Sequence, residues 1–500
     1  MKHHPVLVLQ MQRMGDLVLS FPLLADLGRG FPGHEIWVVG EADFFKPLMP
    51  LSPPAVYFSY AESGRLEREK FHLVINISHR PEAAALAGKL KSDRSLGPRL
   101  DDSGRLFIDG DWQLYRASLT HNNRYNLYHW ADLNRLDLFS GGLGVRRIQE
   151  GSSRIRPGAR VGLFVGASEA EKRPDADFWV GLCVLLLRGG YKPVLLGGEA
   201  EKELGVAVAA AVNAGALNLT GRFTLSELAR FMSGLDFFIS PDTGPMHVAA
   251  WIGLPLLNLS LGPVNPWETG PFVPNRYIVE ADLDCRGCWR CVKKRVLCRE
   301  ELSVEKVFAL LRHIFTRPGQ ASLALQEKMQ GLRLWRSGYE ESGLYDLQLL
   351  FPNKTQGTGR VNPSSSSSEF PGSTAVNAEL ARGYPDPARY PIAHFWRKWF
   401  GEIFGRESRE TVRQSHAALR RASPEAAVAL ASAAAAFALE LARNYRSNPE
   451  NIFTLQDLWR KFPPIFRPFS GYAHMYLQNS RGAREAFLRV LRLTEELAEE

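Results

Sequence analysis

Cysteine is scarce in this chain, at five in 500 residues, and four of the five crowd between Cys285 and Cys298. That distribution argues against a disulfide framework spread along the chain. No uninterrupted apolar run approaches the roughly 20 residues of a membrane span. The opening run Val6–Leu9 is too short for the apolar core of a signal peptide, and Gln10, Gln12, Arg13 and Asp16 follow at once. These absences predict a cytoplasmic chain. Charge of one sign is not dominant either: 61 basic against 53 acidic residues leave +8. Such a surplus fits an anionic partner, a phosphorylated lipid surface or a nucleic acid, and equally fits plain solubility. With 45% hydrophobic and 23% charged residues the composition is that of a soluble globular protein, and 500 residues predict two or three domains.

The first half alternates strands and helices. Strands are expected at Val6–Leu9, Ile36–Val39 and Leu73–Ile77, with a helix over Gly15–Leu27. The pattern weakens between Asp101 and Gln149. It resumes with strands at Arg160–Gly166, Pro193–Leu196, Phe237–Ser240 and Leu256–Leu259, and helices at Phe178–Arg188, Leu225–Met232 and Pro245–Trp251. Alternation of this kind predicts α/β architecture, two Rossmann-like domains facing a cleft, with ligand beyond the carboxyl ends of the strands. The expected divisions are 1–150, 151–350 with closing helices, a Ser/Pro/Gly-rich linker at 351–375, and an all-helical appendage over 376–500. Within the appendage, Ser423-Pro424-Glu425 reads as a helix start, and Phe395, Trp396, Trp399 and Phe400 recur at helical spacing, as core residues do.

Three turns carry candidate chemistry. Ser240-Pro241-Asp242-Thr243-Gly244-Pro245-Met246-His247 follows the apolar run Leu235–Ile239 and reads as strand, tight turn, helix. Free N–H groups and the positive helix end make such a turn a phosphate cradle, while its plain alternative is a strand–helix link with Asp242 as N-cap. Met14-Gly15-Asp16 follows the first strand, where Asp16 would serve as general base or merely as a helix cap. Gly166-Ala167-Ser168-Glu169-Ala170-Glu171-Lys172-Arg173 follows the first strand of the second half. Ser168 and Lys172 suit phosphate, unless the loop is only a solvated charged connection. The cysteines are spaced Cys285-x2-Cys288-x2-Cys291-x6-Cys298 and would hold structural zinc or an iron–sulfur cluster, or remain free or reversibly paired. Cys183 sits alone in an apolar stretch and reads as core.

The three turns, in this order, resemble the bacterial heptosyltransferases, glycosyltransferase family nine, over residues 1 to about 315. The matching segments are Val6…Arg13-Met14-Gly15-Asp16…Pro22, Gly166-Ala167-Ser168…Lys172-Arg173, and Ser240 to Ala250 with Gly253, Pro255, Gly262 and Pro263. The late cysteines also resemble a pattern of that family. The resemblance implies a GT-B fold and inverting transfer of heptose from ADP-heptose to a lipopolysaccharide core, without a catalytic metal. It implies Asp16 as base, Ser168 and Lys172 on donor phosphates, and Asp242 on sugar hydroxyls. Thr243, Gly244 and His247 would lie at the pyrophosphate and Phe223 at adenine, with a ribose carboxylate near Glu199, Glu201 and Glu203. The implied partners are the nucleotide-sugar and an anionic glycolipid, with peripheral contact at the cytoplasmic face of the inner membrane and no nucleic acid. Two competing readings are a GT-B nucleotide-sugar epimerase or hydrolase and a non-catalytic glycan-binding scaffold.

Overall fold

In the computed structural model the structure describes residues 3–139, 154–213, 215–283, 285, 287–316, 323–350, 389–447, 462–480 and 484–499. The expected linker at 351–375 and most of the expected junction near residue 150 lie outside them. The chain forms two compact units. One comprises Met1–Gln113 and Tyr128–Phe351, the other Leu114–Leu127 and Pro352–Glu500.

The first unit holds two sheets. Strands β1 (Val6–Gln10), β2 (Ile36–Gly40), β3 (Val56–Ser59), β4 (Lys70–Asn76), β5 (Lys91–Leu100) and β6 (Leu106–Asp109) assemble in the order β3-β2-β1-β4-β5-β6. All pairs are parallel except β5–β6. Strand β1 is buried along its whole length, which is why Val6–Leu9 reads as a continuous apolar run rather than an alternation. The second sheet contains β7 (Arg160–Phe164), β8 (Lys192–Leu196), β9 (Leu217–Asn218), β10 (Phe237–Pro241), β11 (Leu256–Ser260), β12 (Tyr277–Ala281), β13 (Leu332–Tyr339) and β14 (Tyr345–Leu349). Its order is β14-β13-β12-β11-β10-β7-β8-β9, with β13 and β14 antiparallel. In each sheet the strand order reverses beside the first strand, at β1/β4 and at β7/β10. Those reversals open crevices at the carboxyl edges. The fold is GT-B, two Rossmann-like lobes, as the sequence implied.

One expectation fails here. Residues 301–350, the expected closing helices, read as helical, yet among the described residues Val304–Thr316 and Leu323–Lys328 are followed by the β13–β14 hairpin. In β14 Tyr345 and Leu347 face inward while Asp346 and Gln348 do not, a period of two that spans only five residues. Gly343 adopts a φ of 78° in the connecting turn, a conformation that costs a glycine little.

The two lobes share a core. Helix Met14–Gly30 packs on helix Gly244–Trp251, with Phe21 edge-on to Trp251 at 5.4 Å. The Trp251 indole donates to the Leu51 carbonyl at 2.8 Å. A strap from Tyr128 to Phe139 joins the lobes a second time. Arg135 pairs with the buried Asp26 of the first helix, and the Asp132 carboxylate accepts the Tyr345 N–H at 2.9 Å.

The second unit is helical: Arg389–Ile403, Arg409–Ala422, Pro424–Ser447, Arg467–Asn479 and Arg484–Glu499. Trp396, Trp399, Phe400 and Phe469 are buried together, so the aromatic run is core. No uninterrupted apolar run of about 20 residues occurs, yet among the described residues one helix has the length and overall composition of a membrane span. Pro424–Arg443 is long and apolar enough to cross one by length and composition, and a third of it is buried in the structure. Its alanines hide this in a run-by-run reading, because Ser432 interrupts a stretch that is otherwise uncharged up to Glu440. Residues 114–127 belong with these helices. Tyr115 meets Phe400 at 4.5 Å between ring centroids, and Arg397 and Arg389 donate to the carbonyls of Leu127 and Arg124.

Deleting residues 352–500 should therefore leave Leu114, Tyr115, Leu119, Tyr125 and Leu127 uncovered, each worth about 1.5–3 kcal/mol of burial when fully covered. The expected result is soluble aggregate on size exclusion. A monodisperse truncated chain with unchanged thermal stability would contradict the inserted arrangement.

Candidate functional site

The loops at the two carboxyl edges meet. Gly15 lies so close to helix Gly244–Trp251 that a Cβ there would sit 3.0 Å from His247 Cδ2. Gly244 faces Met14 in return. Asp16, one residue further, occupies the first turn of its helix. It stands near enough to His247 for its charge to raise that histidine's proton affinity. The Gln10 side-chain amide donates to the Asp16 carbonyl at 3.2 Å and ties the helix start to the end of β1.

Strand β10 ends with its backbone held by Asn258, whose amide donates to the Ser240 carbonyl at 3.3 Å. The turn after it does not use Asp242 as a cap. The N-cap is Thr243, which makes no side-chain cap bond, and Pro245 follows Gly244 at the helix start. Asp242 instead accepts a hydrogen bond from the Thr269 hydroxyl at 2.5 Å and lies 3.7 Å from His247 Nε2. Thr269 was not foreseen. It ends the short helix Pro266–Thr269, at the carboxyl end of β11, and its sequence signal is only the Asn265 cap and Pro266.

His247 is buried, at 5% exposure. Burial lowers its proton affinity, with the Lys172 charge acting the same way more weakly, while Asp242 and Asp16 oppose them. The ring is therefore neutral near pH 7. Its Nδ1 and the Thr243 Oγ1 are both buried without a hydrogen-bond partner. A buried polar atom left unpaired costs about 1–3 kcal/mol, so both atoms would gain from a hydrogen bond to a polar ligand or water. The helix start beside them adds free N–H groups and positive potential.

The third loop completes the cleft. Ser168 Oγ accepts from Arg13 Nη1 at 3.3 Å, across the lobes. Lys172 Nζ lies 3.5 Å from Glu169 and its charge is felt at His247. The loops carrying Asp16, Ser168, Lys172, Asp242, Thr243, Gly244 and His247 are thus brought together where the lobes meet. Phe223 packs on Phe231 at 4.9 Å. Among the three acidic residues weighed for a ribose, Glu199 pairs with Lys202 and Glu203 is exposed. Glu201 stands out, because it accepts the Gly198 N–H at 2.8 Å and lies against Gly166 and Gly197 at the ends of β7 and β8.

Cys285, Cys288, Cys291 and Cys298 line a separate cavity of about 30 Å³ with Ser260, Gly262, Val264 and Glu280. Although they share this cavity, no three of these or other metal-ligating side chains among the described residues are placed so that they could hold an ion, and the expected zinc site finds no support. Burial raises the Cys288 thiol to about 11 and raises Cys298 as well, which keeps both protonated. What Cys298 does show is a bond. Its sulfur accepts the Gly262 N–H at 3.3 Å. Gly262, with a φ of 74°, is pressed so tightly on Glu171 that a Cβ would lie 2.9 Å from that residue's carbonyl oxygen. The cysteine loop therefore backs the loop carrying Lys172. Cys183 is core, pushed up to about 12 by burial.

Residues 146–297 match glycosyltransferase family 9 (heptosyltransferase). Lipopolysaccharide heptosyltransferase 1 of Pseudomonas aeruginosa is 25% identical over 353 residues, spanning 64% of this chain and 96% of that protein. Its namesake from Escherichia coli K12 is 25% identical over 312 residues, spanning 55% and 93%. The crystal structure of the family 9 glycosyltransferase from Veillonella parvula superposes with a TM-score of 0.49 at 20% identity, over 63% of this chain and 98% of that one.

A second buried histidine sets an acid limit on the fold. His129 accepts the Ala131 N–H on one ring nitrogen, and its Nε2 pairs with the Gly270 carbonyl at 2.9 Å. Burial lowers its pKa to about 3. The unfolded chain takes up this proton near pH 6.5 and the folded chain near 3. Stability is therefore full above 6.5 and falls by about 1.4 kcal/mol per pH unit as pH drops through that window. His129→Phe should flatten the pH 4–6.5 limb of urea unfolding by one proton, leaving the His247 share. An unchanged slope would show that His129 does not remain neutral.

Proposed function

The chain is a glycosyltransferase of the heptosyltransferase family, and from the build of its cleft we propose inverting transfer of heptose from ADP-heptose to a lipopolysaccharide-core acceptor. The observation that carries this reading is the pair of unpartnered buried atoms, His247 Nδ1 and Thr243 Oγ1, at a helix start opposite the Asp16 carboxylate. One side of the cleft is ready for a diphosphate, and the other presents a base.

The roles follow from charge and position. Asp16 takes the proton of the acceptor hydroxyl, whose oxygen attacks the anomeric carbon. The bond from that carbon to the diphosphate breaks on the opposite face, and ADP departs with the electron pair. Lys172, Ser168 and the Thr243 and Gly244 amides stabilise the charge that develops there. His247, neutral, donates or accepts one hydrogen bond without adding a charge. Asp242, aimed by Thr269, holds sugar hydroxyls. Glu201 is the carboxylate assigned to the ribose, on the strength of its place between Gly166 and Gly197, and Phe223 is assigned to the adenine. The acceptor is an anionic glycolipid, reached by peripheral contact at the cytoplasmic face of the inner membrane. In this proposal the first lobe takes the acceptor and the second the donor.

Calorimetric titration with ADP, UDP and GDP tests the reading, and selective binding of ADP is expected. Asp16→Asn should bind ADP as the parent does and lose transfer by about 10²- to 10⁴-fold. Normal turnover would remove Asp16 from the base role. Thr269→Val should leave ADP affinity unchanged and raise the KM for the ADP-sugar roughly 5- to 20-fold, the loss of one hydrogen bond to a charged group. An equal loss for ADP would place Asp242 on the nucleotide instead.

A further inference from the structure

One carboxylate oxygen stands between two cations from opposite lobes. Glu169 Oε1 lies 3.5 Å from Lys172 Nζ and 3.9 Å from Arg13 Nη1. Arg13 precedes helix Met14–Gly30 of the first lobe, whereas Glu169 and Lys172 belong to the loop after β7 of the second. The same Arg13 nitrogen donates to Ser168 Oγ. The guanidinium thus touches both the hydroxyl and the counter-ion of the lysine assigned to the donor phosphates.

This contact does not bear weight in the fold. Arg13 is 71% exposed and Glu169 41%, while Lys172 is only 16% exposed. Exposed ion pairs contribute about 0–1 kcal/mol, so the carboxylate is readily displaced. A diphosphate offers more than Glu169 can. It carries more charge, and its oxygens match the fork of a guanidinium in a way a single carboxylate oxygen at 3.9 Å does not.

We propose that Arg13 is a ligand of the donor diphosphate supplied by the acceptor lobe, and that Glu169 holds its place until the donor arrives. The proposal rests on the reading of this cleft as an ADP-sugar site. On binding, the diphosphate replaces Glu169 between Arg13 and Lys172, and the carboxylate turns out to solvent. The two lobes are then joined through the substrate itself. Arg13 stands three residues before Asp16 in the same helix start, so its engagement sets the base against the anomeric carbon only when a donor is present. Loss of the same link on ADP departure frees the lobes to exchange product.

Titration of the full chain with ADP tests this, using Arg13→Ala, Arg13→Lys, Glu169→Gln and Lys172→Ala. Arg13→Ala should weaken ADP about 10- to 100-fold, and Arg13→Lys should recover part of the loss. Glu169→Gln should bind ADP more tightly than the parent, a gain that misfolding cannot produce. If Arg13→Ala binds ADP like the parent while Lys172→Ala does not, the cleft reading stands and Arg13 is excluded from it. If Arg13→Ala keeps its ADP affinity but raises the acceptor KM, the guanidinium serves the acceptor and the proposal falls. If the parent chain binds no ADP, the cleft reading fails and this proposal fails with it.

Discussion

The close approach of Gly15 to His247 is the constraint on which the rest of the cleft depends. A Cβ at Gly15 would stand only 3.0 Å from the His247 ring, so any larger side chain would push the histidine back by a few tenths of an ångström. That contact brings the carboxyl edges of two sheets together, and it seals His247 from water. Sealing keeps the imidazole neutral and leaves its Nδ1 unsatisfied. A wider gap would hydrate both the ring and the Thr243 hydroxyl, and the turn would lose its readiness for a ligand.

The strap over Tyr128–Phe139 protects this geometry from a distance. Its Arg135 is buried against Asp26, and its Asp132 holds the β14 backbone. Removing one member of a buried pair typically costs about 3–5 kcal/mol because a lone charge remains inside. The strap therefore has little freedom to adjust. His129 within it lies 4.7 Å from Phe272 and 4.5 Å from Tyr345, and it holds the Gly270 carbonyl next to Thr269. Orientation of Asp242 is thus inherited through Thr269 from a segment more than 100 residues away.

Much of this was legible in the sequence, and what was not has physical reasons. Strands β1, β7, β10 and β11 are buried on both faces, so their apolar runs announced them. The turns after β1, β7 and β10 were legible because Gly, Asp and Lys are conspicuous there. Thr269 was not, since a threonine at the end of a one-turn helix carries no pattern of its own. The β13–β14 hairpin was lost because its alternation is too short to outweigh the helical spacing before it. For the cysteines the sequence left metal and free thiols both open, and no metal group is found among the described residues. Their spacing suits a metal, and it could not show that Cys298 also accepts the Gly262 amide and so braces the loop carrying Lys172.

The inserted segment Leu114–Leu127 has a consequence for the order in which the chain can fold. Its partners, such as Phe400 and Arg397, lie more than 260 residues downstream. At about 5–20 residues per second, a nascent chain waits roughly ten seconds to a minute between exposing this segment and supplying the helices that cover it. During that interval Tyr115, Leu119 and Tyr125 lack the helices that bury them. Slow translation or a missing chaperone would thus be felt first at this inserted segment.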